Sequence, residues 1–173
     1  DQLGLSYQRS FGLPVAVVRP FNTYGPRQSL RAVLPTIITQ ALTREDGRIE
    51  LGATTPRRDL LFVEDTVRGF RMIAEAPAET VTGETFNLAT GESVTIGDLA
   101  RLVVELIGRS SLEIVTTRER LRPESSEVYE LEGDATHIRE RLGWRPVIDL
   151  RQGISRVIEY LSRQRPADSG YRV

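Results

Sequence analysis

The stretch VAVVRPFNTYGPRQ, residues 15–28, places an apolar run directly before a segment crowded with hydrogen-bonding groups. Residues 15–18 show no alternation of apolar and polar side chains, which predicts a strand buried in a parallel sheet. The residues after them predict a loop at the carboxyl end of that strand. Open α/β sheets bind ligands at this end, so the stretch predicts both an α/β fold and the position of a site.

Helical and strand patterns alternate along the rest of the chain. Thr95 and Asp98 have capping-box spacing, which predicts the start of a helix, and Trp144 is predicted to fill the core. Residues 118–132 are charged and contain Pro123, which predicts an extended loop. Apolar periodicity predicts helices at 1–11, 32–42, 96–107, 135–142 and 150–161, a further helix from Glu64, and strands at 49–51, 60–63, 86–89 and 112–115.

The composition predicts one ordinary soluble domain of 173 residues, with 39% hydrophobic and 27% charged residues. All 23 basic residues are arginine and the net charge is −1, which argues against nucleic acid or an anionic membrane as partners. The absence of cysteine argues against disulfides and cysteine-bound metals, and it favours a cytoplasmic location. His137 is the only histidine, so a Ser-His triad or a multi-histidine metal site is not expected, and His137 is expected at the surface.

The N-terminal segment shows no signal peptide, and the sequence holds no apolar run as long as a membrane helix. Because Asp1 lies within a helical pattern, we expect the natural N-terminus to lie elsewhere.

Two polar residues, Asn22 and Tyr24, follow the first predicted strand and are candidates for ligand contact. The alternative is that Asn22 satisfies the turn backbone while Tyr24 packs. Asn87 is a polar residue in an apolar strand, so its amide must find partners and could hold a loop. Glu64 and Asp65 are either acid–base groups or charges that cap the helix they open, and capping is the favoured interpretation.

Arginines in two separate segments are candidates for phosphate binding. Arg58 stands between Arg57 and Asp59, directly before an apolar strand, which places its guanidinium at the mouth of that strand. The alternative is a surface Arg–Asp pair of little energetic weight. Arg122 precedes Pro123, whose fixed backbone angle would set the approach of the arginine. Two such arginines could clamp a diphosphate.

Together these segments resemble the extended short-chain dehydrogenase/reductase family, and specifically its NAD-dependent nucleotide-sugar epimerases and dehydratases. The resemblance covers nearly the whole chain. It rests on five motifs in the family's order: RPFNTYGPRQ at 19–28, RDLLFVED at 58–65, FNLA at 86–89, RPESSE at 122–127 and LGWRP at 142–146.

The resemblance implies the C-terminal part of an extended Rossmann fold. Residues 1–31 and about 60–90 would contribute the last strands of the dinucleotide-binding sheet, and about 32–59 and 91–165 a mixed α/β substrate-binding subdomain. Residues 166–173 would form a tail. No metal site is expected, because the sequence has one histidine and no cysteine, although carboxylate-only magnesium sites stay open.

The resemblance also implies which residues bind a nucleotide-diphosphate sugar. Asn22 would meet the sugar or diphosphate, and Arg58 and Arg122 would hold the nucleotide and its phosphates. Asn87 would line the sugar-nucleotide pocket. The remaining implied positions are Leu34 and Pro35 in the base and ribose pocket, Ser125 where some members have an acidic or histidine ribose ligand, and Pro20 and Tyr24 near the nicotinamide.

The reacting groups of the family are implied to lie upstream of residue 1. These are the glycine-rich G-x-x-G-x-x-G loop, an active-site serine or threonine, and the Tyr-x-x-x-Lys pair that works with NAD. We therefore expect no catalytic residue here, and a chain that supplies the substrate-binding half of an NAD-dependent NDP-sugar 4,6-dehydratase. An NDP-sugar 4-epimerase is one alternative, and a non-catalytic binding module or inactive fragment is another. Dimers are common in the family, and the oligomeric state stays open.

Overall fold

The computed structural model describes residues 1–117 and 128–164. Helices and strands alternate along these residues, which confirms the predicted α/β class. The helices are α1 (Gln2–Phe11), α2 (Val33–Thr43), α3 (Val63–Glu75), α4 (Ala78–Val81), α5 (Ile96–Ile107), α6 (Thr136–Leu142) and α7 (Leu150–Gln164). The strands are β1 (Val17–Pro20), β2 (Asn22–Tyr24), β3 (Arg48–Leu51), β4 (Arg57–Phe62), β5 (Thr85–Leu88), β6 (Ser93–Thr95), β7 (Glu113–Thr116) and β8 (Glu130–Leu131).

The strand pairs with a defined register are parallel. Strand β1 pairs with β5 so that Val17 lies opposite Thr85, and β3 pairs with β7 so that Arg48 lies opposite Glu113. In a further sheet β4 lies between β2 and β6, and β8 pairs with the start of β4. The parallel pairing predicted for the first strand is confirmed.

A buried strand was predicted at 15–18, but the strand lies two residues later and only its first residue, Val17, is fully buried. Strand β1 begins at Val17 and continues through Arg19 and Pro20, both of which are exposed. Pro20 has no N–H to donate, and the next residue donates in the direction of β5, with the bond from Phe21 N to Leu88 O at 2.9 Å. Residues 22–24, predicted as loop, form β2 instead.

Two other segments also differ from their predictions. Strand β4 starts at Arg57, three residues before the predicted strand, so Arg58 lies within it rather than at its mouth. The loop predicted at 118–132 contains β8 near its end, and 118–127 lie outside the described residues. The first residues of β4 and the whole of β8 were missed because charged residues have low strand propensity, and the pairing of these residues joins positions about 70 apart.

The chain divides into two compact units. The first consists of Asp1–Thr23, Asp59–Glu92 and Glu132–Ile148, and the second of Tyr24–Arg58, Ser93–Leu131 and Asp149–Val173.

The core of the first unit is built around Trp144. Its indole is fully buried, as predicted, and Nε1 donates to Asp65 O at 3.2 Å. Helix α3 approaches the core closely at Gly69, where a Cβ would lie 2.6 Å from Leu88 Cδ2. The buried cluster comprises Leu61, Ile73, Val81, Phe86, Leu88, Ile138 and Trp144.

The second unit packs α2 against β3, α5 and α7. The buried side of α2 carries Leu34, Ile37 and Ile38, whereas Val33, at the first position, is exposed. Helix α5 starts at the predicted capping box, with Thr95 Oγ1 accepting from Asp98 N at 2.9 Å. Gly108 ends α5 in the left-handed conformation that glycine adopts readily, with φ at 75°.

Candidate functional site

Asp59 is a buried polar side chain of the first unit that is bonded to three other residues. Its carboxylate is fully buried within β4. It accepts hydrogen bonds from Thr90 Oγ1 at 2.7 Å, Gly91 N at 2.9 Å, Thr90 N at 3.0 Å and Gly133 N at 3.2 Å. The alternative of a surface pair between Arg58 and Asp59 is therefore wrong, because the carboxylate points into the protein and is used by two loops.

Asn22 is half-buried in β2 and lies beside Asp59. Its side-chain Nδ2 donates to the backbone carbonyl of Asp59 at 3.0 Å. The neighbouring Thr23 lies with its hydroxyl 3.0 Å from that of Thr66. Asn22 thus satisfies a backbone carbonyl, and its amide is held at the β4 backbone.

Asn87 lies within β5 and holds a loop. The residue is half-buried rather than buried, and its Nδ2 donates to Asp134 O at 3.1 Å. The Asp134 side chain has its pKa lowered because Thr136 donates to it from its side chain and from its backbone N–H. Since Gly133 N donates to Asp59, the structure brings Asn22 and Asn87 to the same hydrogen-bonded network.

Arg58 belongs to the second unit, near the start of β4. Its Nη1 donates to Arg57 O at 2.8 Å and to Val128 O at 2.7 Å. The Arg57 side chain donates to Ser93 Oγ at 3.1 Å and lies 3.4 Å from Glu130 Oε1. The backbone carbonyls give the Arg58 guanidinium a defined direction, while Arg57 ties β4 to β6 and β8.

The other predicted positions differ in their accessibility. Tyr24 is 2% exposed, and its hydroxyl donates to Leu150 O at 3.4 Å. Leu34 and Pro35 are buried in the first turn of α2, whereas Pro20 is exposed at the end of β1. Arg122 and Ser125 lie outside the described residues.

A second buried carboxylate, Asp65, was predicted to cap α3 but does not. The residue at the N-terminal cap is Phe62, with no side-chain capping bond. Asp65 is 1% exposed and accepts from Val147 N at 3.0 Å, Ile148 N at 2.9 Å and Arg68 Nη2 at 2.7 Å. The acidic start of the helix is confirmed, but this carboxylate holds a loop that lies far along the sequence.

His137 lies at the surface, as expected. Its ring stacks on Phe86 with centroids 5.0 Å apart, and Nε2 lies 2.9 Å from Glu84 Oε2.

Residues 1–117 and 128–164 contain no cluster of three or more side chains suited to hold a metal ion. None of their helices combines the length and apolar character needed to cross a membrane.

The family model described as GDP-mannose 4,6 dehydratase matches residues 1–157. The dTDP-glucose 4,6-dehydratase of Streptomyces griseus is 30% identical over 168 residues, which cover 95% of this chain and 48% of the relative. The chain spans about half the length of the curated relatives it matches.

Solved structures share the fold. The UDP-glucose 4-epimerase of Thermotoga maritima, solved with UDP-glucose, superposes with a TM-score of 0.79 at 29% identity, covering 92% of this chain and 49% of that one. A dTDP-glucose 4,6-dehydratase from Bacillus anthracis, solved with NAD, gives a TM-score of 0.82 at 22% identity, covering 94% and 49%, and its likeness concerns the fold alone. The chain belongs to the GDP-mannose 4,6 dehydratase family, within the extended short-chain dehydrogenase/reductases with a Rossmann fold.

Proposed function

We propose that this chain is the nucleotide-sugar-binding portion of an NAD-dependent NDP-sugar 4,6-dehydratase. The observation that carries the proposal is Arg58, whose guanidinium is directed by two backbone carbonyls at the start of β4. A guanidinium matches the geometry of phosphate oxygens. Family membership and the dehydratase relative from Streptomyces griseus support the same reaction class.

Each candidate residue has a proposed role. Arg58 and Arg122 hold the diphosphate, while Asn22 and Asn87 contact the sugar. The base and ribose lie against the segment that carries Leu34 and Pro35, and against Ser125. The first compact unit supplies the end of the dinucleotide-binding sheet, and the second supplies most of the substrate-binding subdomain.

NAD is the proposed cofactor of the complete enzyme, where it accepts and returns a hydride. Pro20 is exposed at the carboxyl end of β1, so it can face a nicotinamide directly. The ring of Tyr24 is buried and its hydroxyl donates to Leu150 O. We therefore assign the proposed nicotinamide contact of Tyr24 to its backbone rather than to its ring. The sequence contains no lysine and no G-x-x-G-x-x-G loop, so the proposed catalytic groups belong to another part of the enzyme.

An NDP-sugar 4-epimerase is the second candidate function. It is favoured by the likeness to the Thermotoga maritima epimerase, which is as similar in sequence as the dehydratase relatives. The products of a complete enzyme separate the two reactions. A dehydratase forms a 4-keto-6-deoxy sugar, whereas an epimerase inverts carbon 4 and keeps the 6-hydroxyl, and both outcomes are visible by NMR.

Calorimetric titration with dTDP-glucose, GDP-mannose and UDP-glucose tests the binding role. We expect Arg58→Ala to weaken binding at least about tenfold, because charge-assisted hydrogen bonds contribute roughly 1.5–3 kcal/mol each. Arg109→Ala is the matched control. Arg109 also donates to two backbone carbonyls of the second unit, Ala41 O at 2.8 Å and Arg44 O at 2.9 Å, but it has no assigned ligand contact. Equal affinities for wild type and Arg58→Ala would contradict the proposal.

A further inference from the structure

The buried carboxylate of Asp59 has no role in the reaction described so far. Burying an ionised carboxylate costs several kcal/mol unless hydrogen bonds replace the lost water. Here three residues supply the replacement, through the N–H groups of Thr90, Gly91 and Gly133 and the Thr90 hydroxyl. The solvation of this charge therefore depends on the exact course of two loops.

The local sequence permits the close approach of these loops to β4. A Cβ on Gly133 would lie 2.3 Å from Ala89 Cβ and 2.8 Å from the Phe21 ring, so only glycine fits. Gly91 has φ at +79°, which also favours glycine. Both glycines present their N–H groups to Asp59.

Two of the proposed sugar contacts lie next to the residues that bond to Asp59. Asn22 donates to the Asp59 carbonyl. Asn87 precedes the Thr90–Gly91 turn by three residues and donates to Asp134 O, next to the Gly133 N–H that Asp59 accepts. A shift of the Asp59 backbone would move the acceptor of Asn22, and a shift of the Gly133 segment bonded to the Asp59 carboxylate would move the acceptor of Asn87.

We infer that Asp59 is a positioning residue of the NDP-sugar site, which fixes Asn22 and Asn87 without touching the ligand. The inference rests on the proposed function. On this inference, the positions of the Asn22 and Asn87 amides depend on the buried Asp59 carboxylate as well as on the strands that carry them.

Asp65 provides a matched control for this role. It lies in the same unit, is equally buried, and also accepts two backbone N–H groups, those of Val147 and Ile148. Its carboxylate partners named above, Arg68, Val147 and Ile148, are not proposed ligand contacts. Asp59→Asn and Asp65→Asn should therefore both lower stability, whereas only the first should change the position of the sugar contacts.

The experiment first measures the thermal unfolding midpoint of each variant. The affinity of each variant is then measured at a temperature well below the lower of the two midpoints, with the NDP-sugar that the wild type binds most tightly. We expect Asp59→Asn to raise Kd about tenfold or more, because it misplaces two amide contacts to the ligand. The Kd of Asp65→Asn should stay within about twofold of the wild-type Kd, which corresponds to less than about 0.5 kcal/mol of binding free energy. An unchanged Kd for Asp59→Asn, or equal losses in both variants, would overturn the positioning role while leaving the binding function in place.

A milder pair keeps the inference testable if Asp59→Asn fails to fold. Thr90→Val removes the hydroxyl donated to Asp59, and Thr90→Ser restores it. We expect weaker binding for the valine variant and recovery for the serine variant, and equal affinities would overturn the inference. A wild-type chain that binds none of the three NDP-sugars overturns the proposed function itself, and the positioning role with it.

Discussion

The side chain of Gln40 forms a pair of hydrogen bonds with the backbone of Glu50. Gln40 Nε2 donates to Glu50 O at 2.9 Å, and Glu50 N donates to Gln40 Oε1 at 2.9 Å. Strand β3 pairs with β7, and the buried amide of Gln40 satisfies the Glu50 peptide as a neighbouring strand would. A side chain of α2 thus covers part of a sheet edge.

Gln40→Leu should destabilise the chain by about 2 kcal/mol or more. The substitution leaves the N–H and C=O of Glu50 without their partners, and each such buried group costs roughly 1–3 kcal/mol. Urea unfolding followed by circular dichroism measures the change.

The preceding residue gives the control for this measurement. The buried Thr39 hydroxyl has no hydrogen-bond partner within residues 1–117 and 128–164. Thr39→Val, of the same shape, should therefore be neutral or stabilising by up to about 1 kcal/mol. If both variants lost the same stability, tight packing of α2 rather than the Gln40 amide would be responsible.

Gly69→Ala should destabilise the first unit by about 1–2 kcal/mol. The added methyl would meet Leu88 Cδ2 at 2.6 Å and Trp144 Nε1 at 3.1 Å, and overpacking a filled core costs about 1–3 kcal/mol. The higher helix propensity of alanine offsets up to about 1 kcal/mol of this cost. Thermal unfolding gives the net value.

Gly97→Ala is the matched control, because a Cβ there would be 3.4 Å from Thr54 O, an ordinary contact. We expect no loss of stability in this variant. A loss as large as that of Gly69→Ala would mean that flexibility, rather than space, requires glycine in both helices.

The capping box of α5 should contribute stability that depends on pH. Hydrogen bonds from Thr95 and then Arg101 lower the pKa of Asp98 below its ordinary value of 3.8. A carboxyl group with a lowered folded-state pKa stabilises the fold above the unfolded pKa, and the contribution is lost as the pH falls through the folded pKa. The stability difference between wild type and Asp98→Asn should therefore be largest above pH 3.8 and shrink below it.

Urea midpoints measured across this range test the expectation, with Glu105→Gln as a control on the exposed surface of the same helix. A wild-type advantage that stays constant on acidification would show that the ionised form of Asp98 is not what supports the cap.

The features predicted correctly from the sequence depend either on residues close together in the chain or on the size of a single side chain. Thr95 and Asp98 are three residues apart, so their spacing alone specifies the cap. Trp144 was predicted buried because of its size. The alternation of helices and strands followed from apolar periodicity, and the five motifs were sufficient for the family.

The features that were missed depend on distant partners. The Asp59 carboxylate accepts from residues 31 to 74 positions away, and Asp65 accepts from nearby Arg68 and from Val147 and Ile148, more than 80 positions away. Each was interpreted through its neighbours in sequence, Asp59 as part of a surface pair and Asp65 as a helix cap. A carboxylate at either end of the apolar run 60–63 was the available signal, since a charge that is buried must be paired or hydrogen-bonded.

Trp144 gives the chain a built-in optical reporter. It is the only tryptophan, and its fully buried indole lies in the core of the first unit, with the Arg68 guanidinium 5.8 Å from the ring centroid. Its emission therefore follows the folding of the first unit without any label, whereas far-ultraviolet circular dichroism follows the helices of both. The offset between the two unfolding curves would measure directly how cooperatively the units melt.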